Sequence, residues 1–312
     1  MSYSELPATS HTVVTSGFAA VDVMINGSVC ASPGGTAVNV AAILARLGWH
    51  SEVAGTIGTD PAGLFLAESL EADGVGTHSL RLFDQWKTPI VVQERRRDDH
   101  AWRFACPACG ARFAKHRPSE VAYATAVVEQ LPAPDVFFFD RVSLFTIELA
   151  RRWKEAGSLV FFEPAGLGRP ALFDRAVDVS DVVKYSAERA PAFAERLPTD
   201  LTTLIETLGP AGARIRIDGV WTDVPGHPVT ALVDSAGAGD WTSAGIIDAL
   251  FTSGGEPDWE RALVAGQRLG ADACGWEGVR PEPATHIAGD FEAFGCPRML
   301  SERRTNAQMS LG

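Results

Sequence analysis

Four consecutive apolar residues stand at Val136–Phe139 and again at Leu159–Phe162, each bracketed by stretches in which apolar residues recur every three or four positions. Short continuous apolar runs predict strands buried on both faces, and the periodic stretches predict amphipathic helices. Helices are therefore expected from Glu120 to Gln130 and from Leu144 to Ala156. The rhythm continues with a strand at Val182-Val183, a helix from Glu188, and β-rich stretches between Leu201 and Val233. Two helices, near Asp240 to Phe251 and Trp259 to Cys274, close the core. Toward the N-terminus, Val13 to Val23 alternates loosely and predicts one strand. Thr36 to Leu47 predicts a helix of small residues ended by Gly48. Asp60-Pro61 opens another, with Asp as N-cap and Pro in the first turn, running to about Glu71 before Gly74. Strands alternating with helices predict an α/β fold: a doubly wound, mostly parallel sheet with helices on both faces.

One region breaks the rhythm. Gln93 to Pro118 is rich in Arg and holds Cys106-Pro-Ala-Cys109-Gly, so a lid or insertion is expected at about residues 86–118, on one domain covering 1–312. A chain of 312 residues suits that size. The net charge of −12 argues against nucleic acid as a partner, because phosphate backbones reward surplus Lys and Arg. No apolar run reaches the roughly 18 residues of a membrane helix. The N-terminal residues show no secretory signal, and five scattered cysteines do not make a disulfide framework. A cytoplasmic protein without a membrane partner is expected.

The sharpest local feature is Asp234-Ser-Ala-Gly-Ala-Gly-Asp240 ahead of the apolar stretch Trp241 to Phe251. Glycines 237 and 239 let the backbone turn and present N–H groups at a helix start, where the dipole also favours phosphate oxygens. A carboxylate on the same turn can accept the proton of an attacking hydroxyl, and phosphoryl transfer needs both elements. The plainer reading is a capping aspartate on a tight loop. A second feature is Gly34-Gly35-Thr-Ala-Val-Asn39, preceded by Asp22. The Gly pair permits close approach of a ligand, and Asp22 with Asn39 offers polar atoms to a polyhydroxylated molecule. Close helix–sheet packing is the plainer reading here.

Taken together and in this order, Asp22, Gly34-Gly35, Asn39, Leu47-Gly48, Gly55 to Asp60 and Asp234 to Asp240 resemble the motifs of the ribokinase/PfkB family of carbohydrate kinases. The resemblance spans roughly Val13 to Gly278. It implies a ribokinase-like sheet with a small β lid, ATP with Mg²⁺, and transfer of the γ-phosphoryl group to a sugar or sugar-phosphate hydroxyl. By the same likeness Asp240 becomes the base and the backbone of Gly237, Ala238 and Gly239 the anion hole. Asp22, Gly34, Gly35 and Asn39 would hold the acceptor. Glu188, Thr207, Gly209, Gly212 and Asp234 would serve the nucleotide, and a homodimer through the lid is the expected assembly. Three departures stand out: Tyr185-Ser-Ala-Glu188 replaces the family's Asn-x-x-Glu, Ser235 and Ala236 replace threonines, and the Asp22–Gly34 interval is short for lid strands. Glu163-Pro-Ala-Gly is a loose match to a further family strand end.

Cys106 and Cys109 look like one knuckle of a zinc site, with His116 or His100 to add a ligand; the alternative is a simple turn. Arg95, Arg96, Arg97, Arg103, Arg112, Lys115 and Arg117 in the same stretch are either a solvated face or a lid that offers Arg forks to an anionic acceptor. Two other functions remain open: a nucleoside kinase of the same fold, with a base stacked on Trp86, Trp102 or Phe104, and a non-catalytic sugar- or nucleotide-binding relative.

Overall fold

The chain leaves its first strand at Gly17, whose backbone (φ +153°) packs so closely on Asp140 that an added Cβ would lie 1.7 Å from Oδ1. That glycine divides the expected Val13–Val23 strand into two strands belonging to different sheets. The structure, a computed structural model, describes residues 11–25, 29–95, 100–198, 203–252, 254, 257–287 and 294–298. In chain order, β1 (Thr12–Ser16), β2 (Ala20–Ile25) and β3 (Val29–Gly34) precede α1 (Thr36–Arg46). Next come β4 (His50–Val53), β5 (Gly55–Gly58), α2 (Pro61–Ala72), β6 (Leu80–Phe83), β7 (Ile90–Arg95) and β8 (His100–Arg103). Then α3 (Val121–Gln130), β9 (Val136–Phe139), α4 (Leu144–Glu155), β10 (Leu159–Phe162), α5 (Pro170–Asp178) and β11 (Val182–Ser186) alternate. β12 (Thr203–Thr207), β13 (Gly212–Ile217), β14 (Val220–Pro225), α6 (Ala238–Thr252), α7 (Trp259–Ala273) and β15 (Thr285–His286) follow.

The main sheet has eight strands in the order β14-β13-β12-β11-β10-β9-β1-β4, parallel from β4 to β12 and antiparallel at the β13–β14 edge. Its central strands read as unbroken apolar runs because both faces are covered. Val13, Val136, Phe138 and Phe161 pack against α1, α6 and α7. Their neighbours Val14, Phe137, Phe139 and Phe162 pack against α3, α4 and α5. Stacked rings of Phe139 and Phe162, with centroids 4.4 Å apart, extend that second layer across adjacent strands.

A second, five-stranded sheet, ordered β15-β3-β2-β7-β8, forms the lid. Val21, Val23, Ala31 and Val92 of its inner face pack against Val38 and Ala41 of α1 and Leu66 and Leu70 of α2. The short Asp22–Gly34 interval therefore does not leave the lid incomplete. It holds an antiparallel pair, β2 with β3, to which β7 adds in parallel and β8 at the edge. Two other expectations change. After Glu188 there are only 3₁₀ turns at Ala190–Ala192 and Ala194–Arg196, since Pro191 removes an amide and disfavours helix in the residue before it. α5 was not expected, although Pro170 in its first turn is an ordinary helix opening. As read from the sequence, Asp60 caps α2, accepting from the Gly63 amide at 3.3 Å. Among the described residues no helix is long and apolar enough to cross a membrane.

Candidate active site

The parallel strands β1, β9, β10, β11 and β12 end on one side of the main sheet, the side where open α/β sheets place their ligands. There the Asp234–Asp240 loop enters α6. Asp234 is buried and shapes the loop, its Oδ1 accepting from the Ala236 amide (2.8 Å) and its Oδ2 from the Gly278 amide (2.9 Å). Its carboxylate thus serves the backbone of the loop. Gly237 has φ +79°, and a Cβ there would lie 2.7 Å from a Val279 methyl, so both conformation and packing require glycine. A Cβ on Gly239 would meet nothing within 4 Å. Ala238, Gly239 and Asp240 open α6, and first-turn amides have no partner within their own helix.

Asp240 sits partly buried on this turn. Asn39 of α1, itself buried, donates from Nδ2 to Asp240 Oδ2 at 2.7 Å. Beneath lies a buried network: Lys184 Nζ is 2.8 Å from Glu163 Oε1, and Ser243 Oγ is 2.5 Å from Glu163 Oε2. Lys184 also reaches the Gly239 carbonyl at 3.3 Å. Burial, with help from the Glu163 charge, pushes the Asp240 carboxyl up to about 7, against the opposing pull of Asn39 and Lys184. A carboxyl poised near neutrality at a helix start can take a proton from a hydroxyl at physiological pH.

Asp22 belongs to β2 of the lid and not to the first strand of the main sheet. Burial pushes its carboxyl up to about 7 as well, although the Arg280 charge opposes it. Gly34 faces it across the β2–β3 pair, where a Cβ would lie 2.3 Å from the Asp22 carboxylate. Gly35 (φ +99°) approaches the Phe18 carbonyl, which a Cβ would meet at 2.0 Å. The glycine pair therefore serves close packing, and only Gly35 of the two lines the adjoining cavity. That cavity, about 440 Å³, is bounded by Asn39, Asp240, Glu163, Lys184 and Arg141 below and by Asp22, Val91, Trp102 and Phe104 of the lid region.

A second cavity of about 580 Å³ lies on the other side of the α6 N-terminus. Thr207, Gly209 and Gly212 line it, with Pro228, Val229, Leu232 and Cys274 giving a mainly apolar wall. Leu232 is 72% exposed, an apolar surface that a flat ring would cover. Gly212 (φ +111°) is fixed by its own hairpin, since a Cβ would lie 2.2 Å from the Val224 carbonyl. The two cavities share Thr207 and Gly239. Glu188 lies exposed in the turn after β11, outside both linings, whereas Ser186 and Arg189 line the first cavity. Tyr185 points the other way, edge-on to Phe193 with centroids 5.3 Å apart.

Neither Arg103 nor Arg112 lines the 440 Å³ cavity; strand alternation turns Arg103 to the face opposite Trp102. Arg95 to Arg97 lie wholly or by their side chains outside the described residues, and Arg117 stacks over Trp86 at 4.9 Å. The cations in that cavity's lining are Arg141, Lys184 and Arg189. His116 does not join Cys106 and Cys109: its ring packs edge-on against Phe18, with centroids 5.9 Å apart. The His100 side chain lies outside the described residues. The described residue that does join the two thiols is Cys296. Sequence reasoning passed over Lys184, Arg280 and Cys296. Of these only Lys184 left a signal, as a lone cation within the apolar run of β11, where an unpaired charge is not tolerated.

The pfkB family carbohydrate kinase pattern matches residues 7–285. A fructokinase of Klebsiella pneumoniae is 30% identical over 282 residues, covering 83% of this chain and 90% of its own. An aminoimidazole riboside kinase of Salmonella typhimurium is 26% identical over 270 residues, covering 78% and 80%. The crystal structure of an uncharacterized sugar kinase from Pyrococcus horikoshii in complex with ATP superposes with a TM-score of 0.71 at 20% identity, covering 91% of this chain and 99% of that one. Fold, glycine loop and family pattern converge: the chain belongs to the pfkB family of carbohydrate kinases.

Proposed function

We propose that the chain transfers the γ-phosphoryl group of ATP to a hydroxyl of a sugar, with Asp240 as the base. The observation that carries this reading is the position of Asp240: at the α6 N-terminus, where two cavities meet, with its carboxyl near neutrality. The acceptor occupies the cavity with Asp22, whose carboxylate takes hydroxyl hydrogens; Asn39 holds the base as well as facing the acceptor. ATP occupies the cavity with Thr207, Gly209 and Gly212, its base against Val229 and Leu232. The amides of Gly237, Ala238 and Gly239 meet the phosphoryl oxygens as charge develops. The acceptor proton passes to Asp240 as the acceptor oxygen bonds phosphorus and ADP leaves.

Mg²⁺ fits this arrangement because it takes mostly phosphate and water oxygens and needs few protein carboxylates. Glu188, exposed in the turn whose Ser186 and Arg189 line the first cavity, would supply one, and the ion would neutralise phosphate charge. A cytoplasmic location and a homodimer through the lid complete the reading. Relatives named fructokinase and aminoimidazole riboside kinase make a furanose-sized acceptor the first class to try. One observation favours a second acceptor class: Trp102 and Phe104, 46% and 61% exposed at the cavity mouth, can stack a nucleobase.

The deciding experiment is ADP release with the purified chain across pentoses, hexoses, their phosphates and nucleosides, followed by phosphorus NMR of the product. Acceptor-dependent ADP and a new phosphate ester are expected for a sugar. Phosphorylation of nucleosides alone would transfer the assignment to the second class, and no acceptor-dependent turnover would sink the reading.

A further inference from the structure

Cys106 and Cys109 stand at the tip of a hairpin that extends beyond β8. Phe113 N donates to Phe104 O (3.0 Å) and Cys106 N to Ala111 O (2.8 Å), and the turn closes through Gly110 N to Cys106 O (2.8 Å). Gly110 takes φ +71°, which the tightly curled Cys-Pro-Ala-Cys-Gly turn requires.

The third sulfur arrives from 187 residues away. Cys296 Sγ lies 3.5 Å from Cys109 Sγ, and all three sulfurs fall within 4.8 Å of one another. Cys106 and Cys296 are each 2% exposed. Three sulfurs around a zinc ion at about 2.3 Å each would stand about 3.8 Å apart in tetrahedral geometry, which is the spacing this cluster approaches. A disulfide needs about 2.0 Å, and three thiols in one place exceed what a single bridge uses. Apolar packing alone gives no reason for three thiols from segments 187 residues apart to converge on one point.

We propose that Cys106, Cys109 and Cys296 bind one zinc ion as three thiolates, with a solvent molecule as fourth ligand, fastening the C-terminal segment to the lid. Soft thiolates select zinc among abundant divalent ions. The segment so fastened already touches the lid and the helix behind it: Thr285 and His286 pair with β3, and Phe294 stacks edge-on against Phe65 of α2 with centroids 5.7 Å apart. The hairpin it grips continues directly from Trp102 and Phe104. The ion therefore braces the wall of the acceptor-side cavity from outside, and the site stands whether or not that cavity binds a sugar.

The test uses the full chain, purified without chelator and analysed for metal by plasma mass spectrometry. About one zinc per chain is expected, as one site of this kind requires. Cys296→Ser should lose at least about nine-tenths of it, while Cys30→Ser, outside the cluster, should keep it. Exchange with Co²⁺ should give thiolate-to-metal charge-transfer bands and intense tetrahedral ligand-field bands. Should Cys296→Ser fail to fold, alkylation of the wild-type chain decides instead: Cys106, Cys109 and Cys296 should be protected together and become reactive together on chelation. Absence of zinc, a wild-type zinc content in folded Cys296→Ser, or a Cys109–Cys296 disulfide in the purified chain would each overturn the proposal.

Discussion

The floor of the site and its lid are built in opposite ways. The floor, where α6 begins over the ends of β10 and β11, is made of backbone and a buried polar network: amides of the glycine loop, Lys184 against Glu163, Ser243 against Glu163. The lid contributes side chains, with Asp22, Val91, Trp102 and Phe104 facing the cavity from a sheet that has only one apolar face to bury. Backbone amides serve any phosphoryl group alike, whereas a carboxylate and two aromatic rings discriminate among acceptors. Under the proposed function, the difference assigns the transfer step to the floor and acceptor choice to the lid.

The largest expected effect tests the floor. Asp240→Asn should lower kcat by roughly 10²–10⁴ with an unchanged circular dichroism spectrum, since Asp240 is the third residue of α6 and Asn keeps its shape. A variant keeping a third of wild-type kcat would remove Asp240 as base. The wild-type rate should also fall as pH drops through about 7, where the carboxyl becomes protonated. For stability the sign reverses. A carboxyl raised from 3.8 to about 7 binds more protons folded than unfolded between those values, so its contribution to stability declines as pH rises through that window.

Next in size is Lys184→Met, which leaves Glu163 buried without its ion-pair partner. Breaking a buried pair from one side costs about 3–5 kcal/mol, so denaturant midpoints should fall sharply even without nucleotide. An unchanged midpoint would show that the network does not support the floor. Asp22→Ala tests the lid and should be milder, about 10- to 150-fold in kcat/KM for the acceptor, with ATP affinity measured separately almost unchanged. Equal losses for both ligands would erase the division between floor and lid. The smallest effect belongs to Arg103→Ala with Arg112→Ala. Both side chains lie outside the cavity lining, so less than about a twofold change in acceptor KM is expected, as for surface substitutions in general. A salt-sensitive rise confined to anionic acceptors would restore them to the lid's binding surface.

The floor was far more legible in the sequence than the lid. Central strands declare themselves by unbroken apolar runs, and two glycines flanking the start of α6 announce a loop that only glycine permits at 237. Lid residues are read through partners far along the chain, which no local pattern records. Likewise the sequence offers Asn39 of α1 to a polyhydroxylated ligand, but no local pattern records its bond to Asp240, 201 residues on. The Gly34-Gly35 pair suggested ligand approach, yet the atoms it accommodates are the Asp22 carboxylate and the Phe18 carbonyl. The cysteine knuckle was visible as Cys-x-x-Cys, but its third sulfur follows no spacing rule because β15 and the segment after it return to the lid from the far end of the chain.

Arg280 carries a consequence for how the protein is made. Its guanidinium reaches Asp73 at 2.9 Å, the Pro33 carbonyl at 3.0 Å and Asn39 at 3.5 Å, across separations of 207, 247 and 241 residues. Two residues earlier Gly278 ties down Asp234, and Val279 accepts from the Trp241 indole at 2.7 Å. During synthesis the early half of the chain leaves the ribosome with the Asp22 carboxylate lacking its neighbouring cation and the glycine loop lacking its cover. N-terminal elements fold as they emerge, but these ties form only after residue 280 has cleared the exit tunnel. A nascent chain thus carries every strand of its main sheet before it has a working site, and one short stretch of peptide joins the two halves at the end.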